Sequence, residues 1–152
     1  MKAELKITRS PAVLSETQAE ELNQWSDHRS VHDTEEDILF AAVCRSQNEA
    51  EEKCRRAEKI LGFPFPLNSR PSSWFDSHTL VLVISEERSG SSALTLKSAE
   101  KKGTEAELIL SRTRGMTMDM SLALIEAELE ETGIESVLAK AVNDHSAEAL
   151  LF

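Results

Sequence analysis

The stretch Gly62–Ser73 (GFPFPLNSRPSS) constrains this chain more than any other feature, because it holds three of the four prolines. Proline fixes φ at about −65° and removes a backbone donor, so the stretch is neither a helix nor an interior strand. It is expected to cross the molecule in extended form, with Phe63 and Phe65 docked on the core. It divides the 152-residue chain into a helical half, residues 1–62, and a sheet half that follows residue 75. The length suits one domain over 1–152, with 63–75 as the crossing segment.

In the first half, Ala3, Leu5 and Ile7 alternate with charged or polar neighbours, the period of a half-buried strand that Pro11 ends. Ser15 followed by Gln18 forms a capping box opening a helix over about residues 16–26, with Leu22 and Trp25 on its buried side. Asp33 and Glu36 repeat the pattern. A long helix is expected from there to Leu61, its stripe being Ile38, Ala42, Ala50, Cys54, Ala57 and Leu61. The stripe thins over residues 45–49, which allows a break, and Gly62 is placed to stop the helix in a left-handed turn.

In the second half, Thr79–Ser85 (TLVLVIS) is nearly all apolar and reads as a central strand. Turns at residues 87–90 and 101–103 then separate two further strands, with Leu94 and Leu96 on one face and Ala106, Leu108 and Leu110 on the other strand's face. Met118, Leu122, Ile125 and Leu129 recur at helical spacing, as do Ile134, Val137, Leu138, Ala141 and Val142 after a Thr132/Glu135 capping pair. The expected fold is a two-layer α+β domain. Its order is β-α-α-β-β-β-α-α, a small antiparallel meander of three to four strands covered by helices.

The formal net charge of −10 is unevenly placed. Residues 116–152 carry one Lys or Arg against eight Asp or Glu, so the C-terminal quarter holds −7 of it. Such a field repels a nucleic-acid backbone and attracts basic proteins. Glu126, Glu128, Glu130, Glu131 and Glu135 form the candidate partner-binding face, with Trp74 and Phe75 as a second contact. Cys44 and Cys54 lie about 15 Å apart if both are on one helix, too far for a disulfide, and are expected to be reduced thiols of a cytoplasmic protein. The longest apolar run, Leu80–Ile84, is too short to span a bilayer.

Three further constellations carry weaker chemistry. His28 and His32, beside Asp27 and Asp33, have metal-like spacing but fall between two capped helices, so no metal or other cofactor is expected. Arg112 and Arg114 precede Gly115 and an expected helix start, where an anion would find guanidinium groups and backbone N–H donors. His78 follows Asp76 and lacks a nucleophile motif. The sequence therefore points away from an enzyme. It points to an acidic protein-binding factor (an adaptor, an inhibitor or a chaperone-like protein) that meets a basic or partly unfolded protein. The alternatives are a DNA mimic of the phage anti-defence type, inhibiting a nucleic-acid-binding protein, and a small enzyme or anion sensor built on Arg112 and Arg114. Direct nucleic-acid and membrane binding are not expected, and the uncovered sheet edge leaves room for a homodimer.

Overall fold

In a computed structural model that describes residues 1–27, 38–113 and 115–143, the apolar run at residue 79 is strand β3 (Thr79–Glu87), buried at every position except Glu86. Val81 and Val83 enter one apolar cluster; Leu80, Leu82 and Ile84 enter another on the opposite face. A strand covered on both faces has no polar side to show, which explains its continuous hydrophobicity. Strand β6 (Ser121–Leu129) pairs with it antiparallel, Val83 opposite Ile125. Strands β1 (Ala3–Ser10) and β2 (Ile38–Cys44) complete a sheet of order β1-β6-β3-β2.

A second sheet packs on the face carrying Val83, Ile125 and Ala127. It consists of β4 (Ala93–Lys102), β5 (Glu105–Thr113) and β7 (Ser136–Asn143), with β4 antiparallel and β7 parallel to β5. Gly103, at φ +63°, makes the β4–β5 turn. Ala106, Leu108 and Leu110 point into the same core as Val81 and Ile125. The other face of the first sheet receives helices α1 (Glu16–Gln24) and α2 (Gln47–Leu61) through Leu22, Ala50, Cys54, Ala57 and Leu61. Ser15 and Gln18 cap α1 reciprocally, and Gly62 ends α2 at φ +81°. The crossing segment lies along this layer, with Phe65 buried and Phe63 and Leu67 partly so. No described helix is long and apolar enough to cross a membrane.

The molecule is thus mixed α+β, with two helices and two mostly antiparallel sheets, and it corrects several expectations. The layers are helix, sheet and sheet rather than two, and the order is β-α-β-α-β-β-β-β-β. The long helix expected up to Leu61 starts only at Gln47, after the cap Ser46, whose side chain accepts from the Glu49 N–H; residues 38–44 are a strand instead. ILFAAVC is buried on both faces, so its apolar residues fit a helical stripe as well as a strand. The Asp33/Glu36 pair lies outside the described residues. Both expected C-terminal helices are strands, β6 and β7. The turn at residues 87–90 does not form a meander, since β3 pairs with β2 and β6 and the chain passes there to the other sheet. Trp25 is 52% exposed rather than buried, beneath the Arg56 guanidinium 4.1 Å from its ring centre.

Candidate functional site

Because residues 121–129 form a strand, Glu126 and Glu128 stand two apart on one face of the sheet rather than along a helical acidic stripe. The crossing segment delivers Arg70 to that face. Its Nη1 donates to Glu126 Oε2 at 2.7 Å and its Nε to Glu128 Oε2 at 3.0 Å. Asn68 adds its backbone N–H and its Nδ2, at 3.2 and 2.6 Å from Glu126. Gln47 Oε1 accepts from the Arg70 backbone N–H at 3.1 Å, which ties the start of α2 to the same segment. Glu126 and Arg70 are both buried, so Glu126 serves the fold and does not face a partner. Burial works against the charged form of Glu128. The Arg70 hydrogen bond and charge, with Lys6 behind them, outweigh it and hold that carboxyl below its ordinary value.

Trp74 closes this cluster from the 3-10 turn Ser72–Asp76. The Arg70 guanidinium lies 5.1 Å from its ring centre, His78 stacks on it at 4.6 Å, and Phe75 meets it edge-on at 4.9 Å. The His78 Nδ1 is engaged by Ser77 Oγ at 2.7 Å and by the Trp74 carbonyl at 3.1 Å, which fixes the ring without Asp76. Beyond Trp74 opens a groove of about 700 Å³ between β1 and β4. Glu4, Glu128, Glu130, Lys2, Lys97 and His78 supply its polar lining, Ala3 and Leu96 part of its apolar lining. Of the expected partner-binding residues, Trp74, Glu128 and Glu130 meet here.

Glu131 and Glu135 lie on the loop that follows β6. The Glu135 N–H donates to the Thr104 carbonyl at 2.7 Å, and Lys101 reaches Glu131 at 3.7 Å, so this loop sits against the β4–β5 turn. Residues 100–107 and 130–135 therefore gather at one end of the sandwich, with Glu100, Glu105, Glu107, Glu130, Glu131 and Glu135 beside Lys101 and Lys102. The acidic surface has survived the loss of its helices by moving to a loop and a turn.

The opposite end holds a second ionic cluster. Glu87 is fully buried and receives Arg112 Nε at 2.8 Å and Nη2 at 2.6 Å, a two-pronged pair between the two sheets. Ser85 and Ser92 donate to the same carboxylate at 2.9 and 3.0 Å. Arg9 comes within 3.9 Å and is held by the Ser121 hydroxyl and the Ser89 carbonyl, each at 2.8 Å. An anion at Arg112 would have to displace a buried carboxylate; Arg114 lies outside the described residues. Over this cluster the Ser89, Ser91 and Thr117 hydroxyls form a triangle of 2.7 to 3.1 Å sides, and Asp119 accepts from the Gly90 N–H.

Cys44 and Cys54 are both buried free thiols, pushed up to about 12, first by burial. Such thiols are inert at neutral pH. No group of three or more His, Cys, Asp or Glu suited to a metal ion occurs among the described residues, and His28 and His32 are not among them. Sequence reasoning missed Arg70, Asn68 and Glu87. Arg70 carried one signal, being the only basic side chain in a proline segment with no acidic neighbour to pair it locally. No protein-family model matches this chain, and no curated protein or solved structure matches it either.

Proposed function

We propose that the protein is a non-enzymatic, acidic binding factor that engages a protein with a basic surface. The observation that carries this reading is the acidic end, where the loop 130–135 and the turn 100–107 bring six carboxylates together with two lysines. A surface of that sign raises the encounter rate of a basic protein and disfavours nucleic acid. The adjoining groove, with Trp74 and Glu130 on its wall, offers aromatic contact area beside the charges. The internal commitments of Arg112 and Glu87 weigh against a site for anions or turnover at the other end.

The test is capture from native lysate by wild-type protein and by a Glu130→Gln, Glu131→Gln, Glu135→Gln variant, each eluted in rising salt. A basic protein released at moderate salt from the wild type and lost from the variant is the expected result. Equal retention by both proteins, indifferent to salt, would sink the proposal. Capture of a nucleic-acid-binding protein that DNA displaces would favour the mimic reading, which uses the same carboxylates.

A further inference from the structure

The outer edge of β1 is self-complementary. The Glu130 N–H donates to the Lys2 carbonyl at 2.9 Å, and β1 pairs with β6 without a bulge from Ala3 to Ser10. Backbone groups in a strand point alternately to its two sides, so Lys2, Glu4, Lys6 and Thr8 direct theirs at β6. Ala3, Leu5 and Ile7 direct theirs outward, and no strand among the described residues pairs with that side. The side chains divide the same way. Ala3, Leu5 and Ile7 face the core between the sheets and are only partly buried, while Lys2, Glu4 and Lys6 are exposed on the other face.

We propose that two copies of this chain join β1 to β1 antiparallel, with Leu5 opposite Leu5, making one continuous eight-stranded sheet across a two-fold axis. In that register Ala3 meets Ile7 and Leu5 meets Leu5, so every opposed outward residue exchanges two backbone hydrogen bonds with its counterpart. Glu4 stands opposite Lys6 of the second copy, and Lys6 opposite its Glu4. The partly covered apolar side chains meet their equivalents on one face while the ion pairs form on the other.

The alternatives are worse for physical reasons. A slide of one residue sets outward-pointing groups against inward-pointing ones, and the bonds are lost. A slide of two residues puts Glu4 against Glu4 and Lys2 against Lys6 in one direction, or Lys6 against Lys6 in the other; like charges directly opposite are destabilising. A slide of four shortens the overlap in one direction, and in the other sets Leu5 against Arg9, which is occupied at the Glu87 cluster. Hydrogen-bond parity thus removes the odd slides, and charge selects this register over its neighbours two residues away. Charged edge strands usually oppose association; here the charges alternate in sign, so they oppose only the wrong registers. This inference does not rest on the partner-binding reading: it shares the Lys2–Glu4 wall of the groove, but none of the loop 130–135 whose carboxylates the capture experiment tests.

Sedimentation velocity over a concentration series tests it, with Glu4→Lys and Lys6→Glu variants. Wild type is expected to dimerise reversibly. Each variant alone should dimerise roughly tenfold to a hundredfold more weakly, because two opposed pairs become repulsive by symmetry. An equimolar mixture of the two variants should recover the wild-type constant, since each substituted side chain then faces an opposite charge. Amide hydrogen exchange on unmodified protein gives a second reading. The Leu5 and Ile7 amides should gain protection as concentration rises, and the Glu4 and Lys6 amides should not change. A wild-type monomer at the highest attainable concentration overturns the proposal. So does a dimer indifferent to both substitutions, or an exchange pattern at Leu5 and Ile7 that ignores concentration.

Discussion

The two ionic clusters are built from the same chemistry and serve different structural ends. At Glu87 one carboxylate sits between the sheets and receives donors from Arg112, Ser85 and Ser92, with Arg9 adjoining. At Arg70 one guanidinium on a loop holds two carboxylates of a single strand, and its Nη2 has no hydrogen-bond partner. The Trp74 ring lies against that guanidinium, between it and the groove. The first cluster fastens sheet to sheet, and the second fastens a loop to a sheet beside the surface where a partner is proposed to bind. Each joint leaves one buried guanidinium nitrogen without a hydrogen-bond partner among the described residues, Arg9 Nε at the first and Arg70 Nη2 at the second, so what separates them is which layers they tie.

That contrast is broken most sharply by Glu87→Ala, which leaves the buried Arg112 and the partly buried Arg9 without their carboxylate. A loss of about 3–5 kcal/mol is expected in denaturant unfolding, the range for breaking a buried pair. Arg70→Ala should cost less, about 2 kcal/mol, because Glu126 keeps both Asn68 hydrogen bonds and Glu128 keeps Lys6 at 3.4 Å. Equal losses from the two would erase the distinction between the joints.

Gly115→Ala probes the loop over the Glu87 cluster. A Cβ there would stand 2.3 Å from Ser91 Oγ, 2.4 Å from Ser89 Oγ and 2.6 Å from the Ser91 backbone carbon. Relieving that contact should cost about 1–2 kcal/mol, read as a lowered unfolding midpoint. An unchanged midpoint would show that the hydroxyl triangle contributes nothing to the joint.

The smallest effect is on pH dependence. The Glu128 carboxyl is held below its ordinary value of 4.5, so its contribution to stability is complete above that value. The contribution is lost as pH falls through the lowered folded value. Stability measured from pH 7 down into the acid range should fall less steeply in Arg70→Ala than in wild type. An identical slope would remove Arg70 as the cause.

What could be read from the sequence depended on how many faces each element covers. β1 and β5 show one face to the core, so Ala3, Leu5 and Ile7, and Ala106, Leu108 and Leu110, alternate legibly. Ser15, Gln18, Gly62 and Gly103 speak for themselves because caps and turns are local chemistry. β6 defeated the same logic. SLALIEAEL is buried on both faces and made largely of Leu, Ala and Glu, good helix formers, so tertiary burial overrode local propensity. The site was harder still. Arg70 and Glu126 are 56 residues apart, and Arg112 and Glu87 are 25 apart; nothing local announces either pair.

The pairing of β1 with β6 sets a timetable for the ribosome. Ala3 lies opposite Leu129, so β1 has no partner in its sheet until the 126 residues that follow Ala3 have been synthesised. At about 5–20 residues per second, β1 waits for roughly 6 to 25 seconds. From Glu87 until Leu129 is made, β3 also lacks β6, the neighbour that will separate it from β1. One of the two middle strands of the larger sheet is therefore the last part of it to exist, and the nascent chain carries β1 and β3 past the exit tunnel before either can be completed.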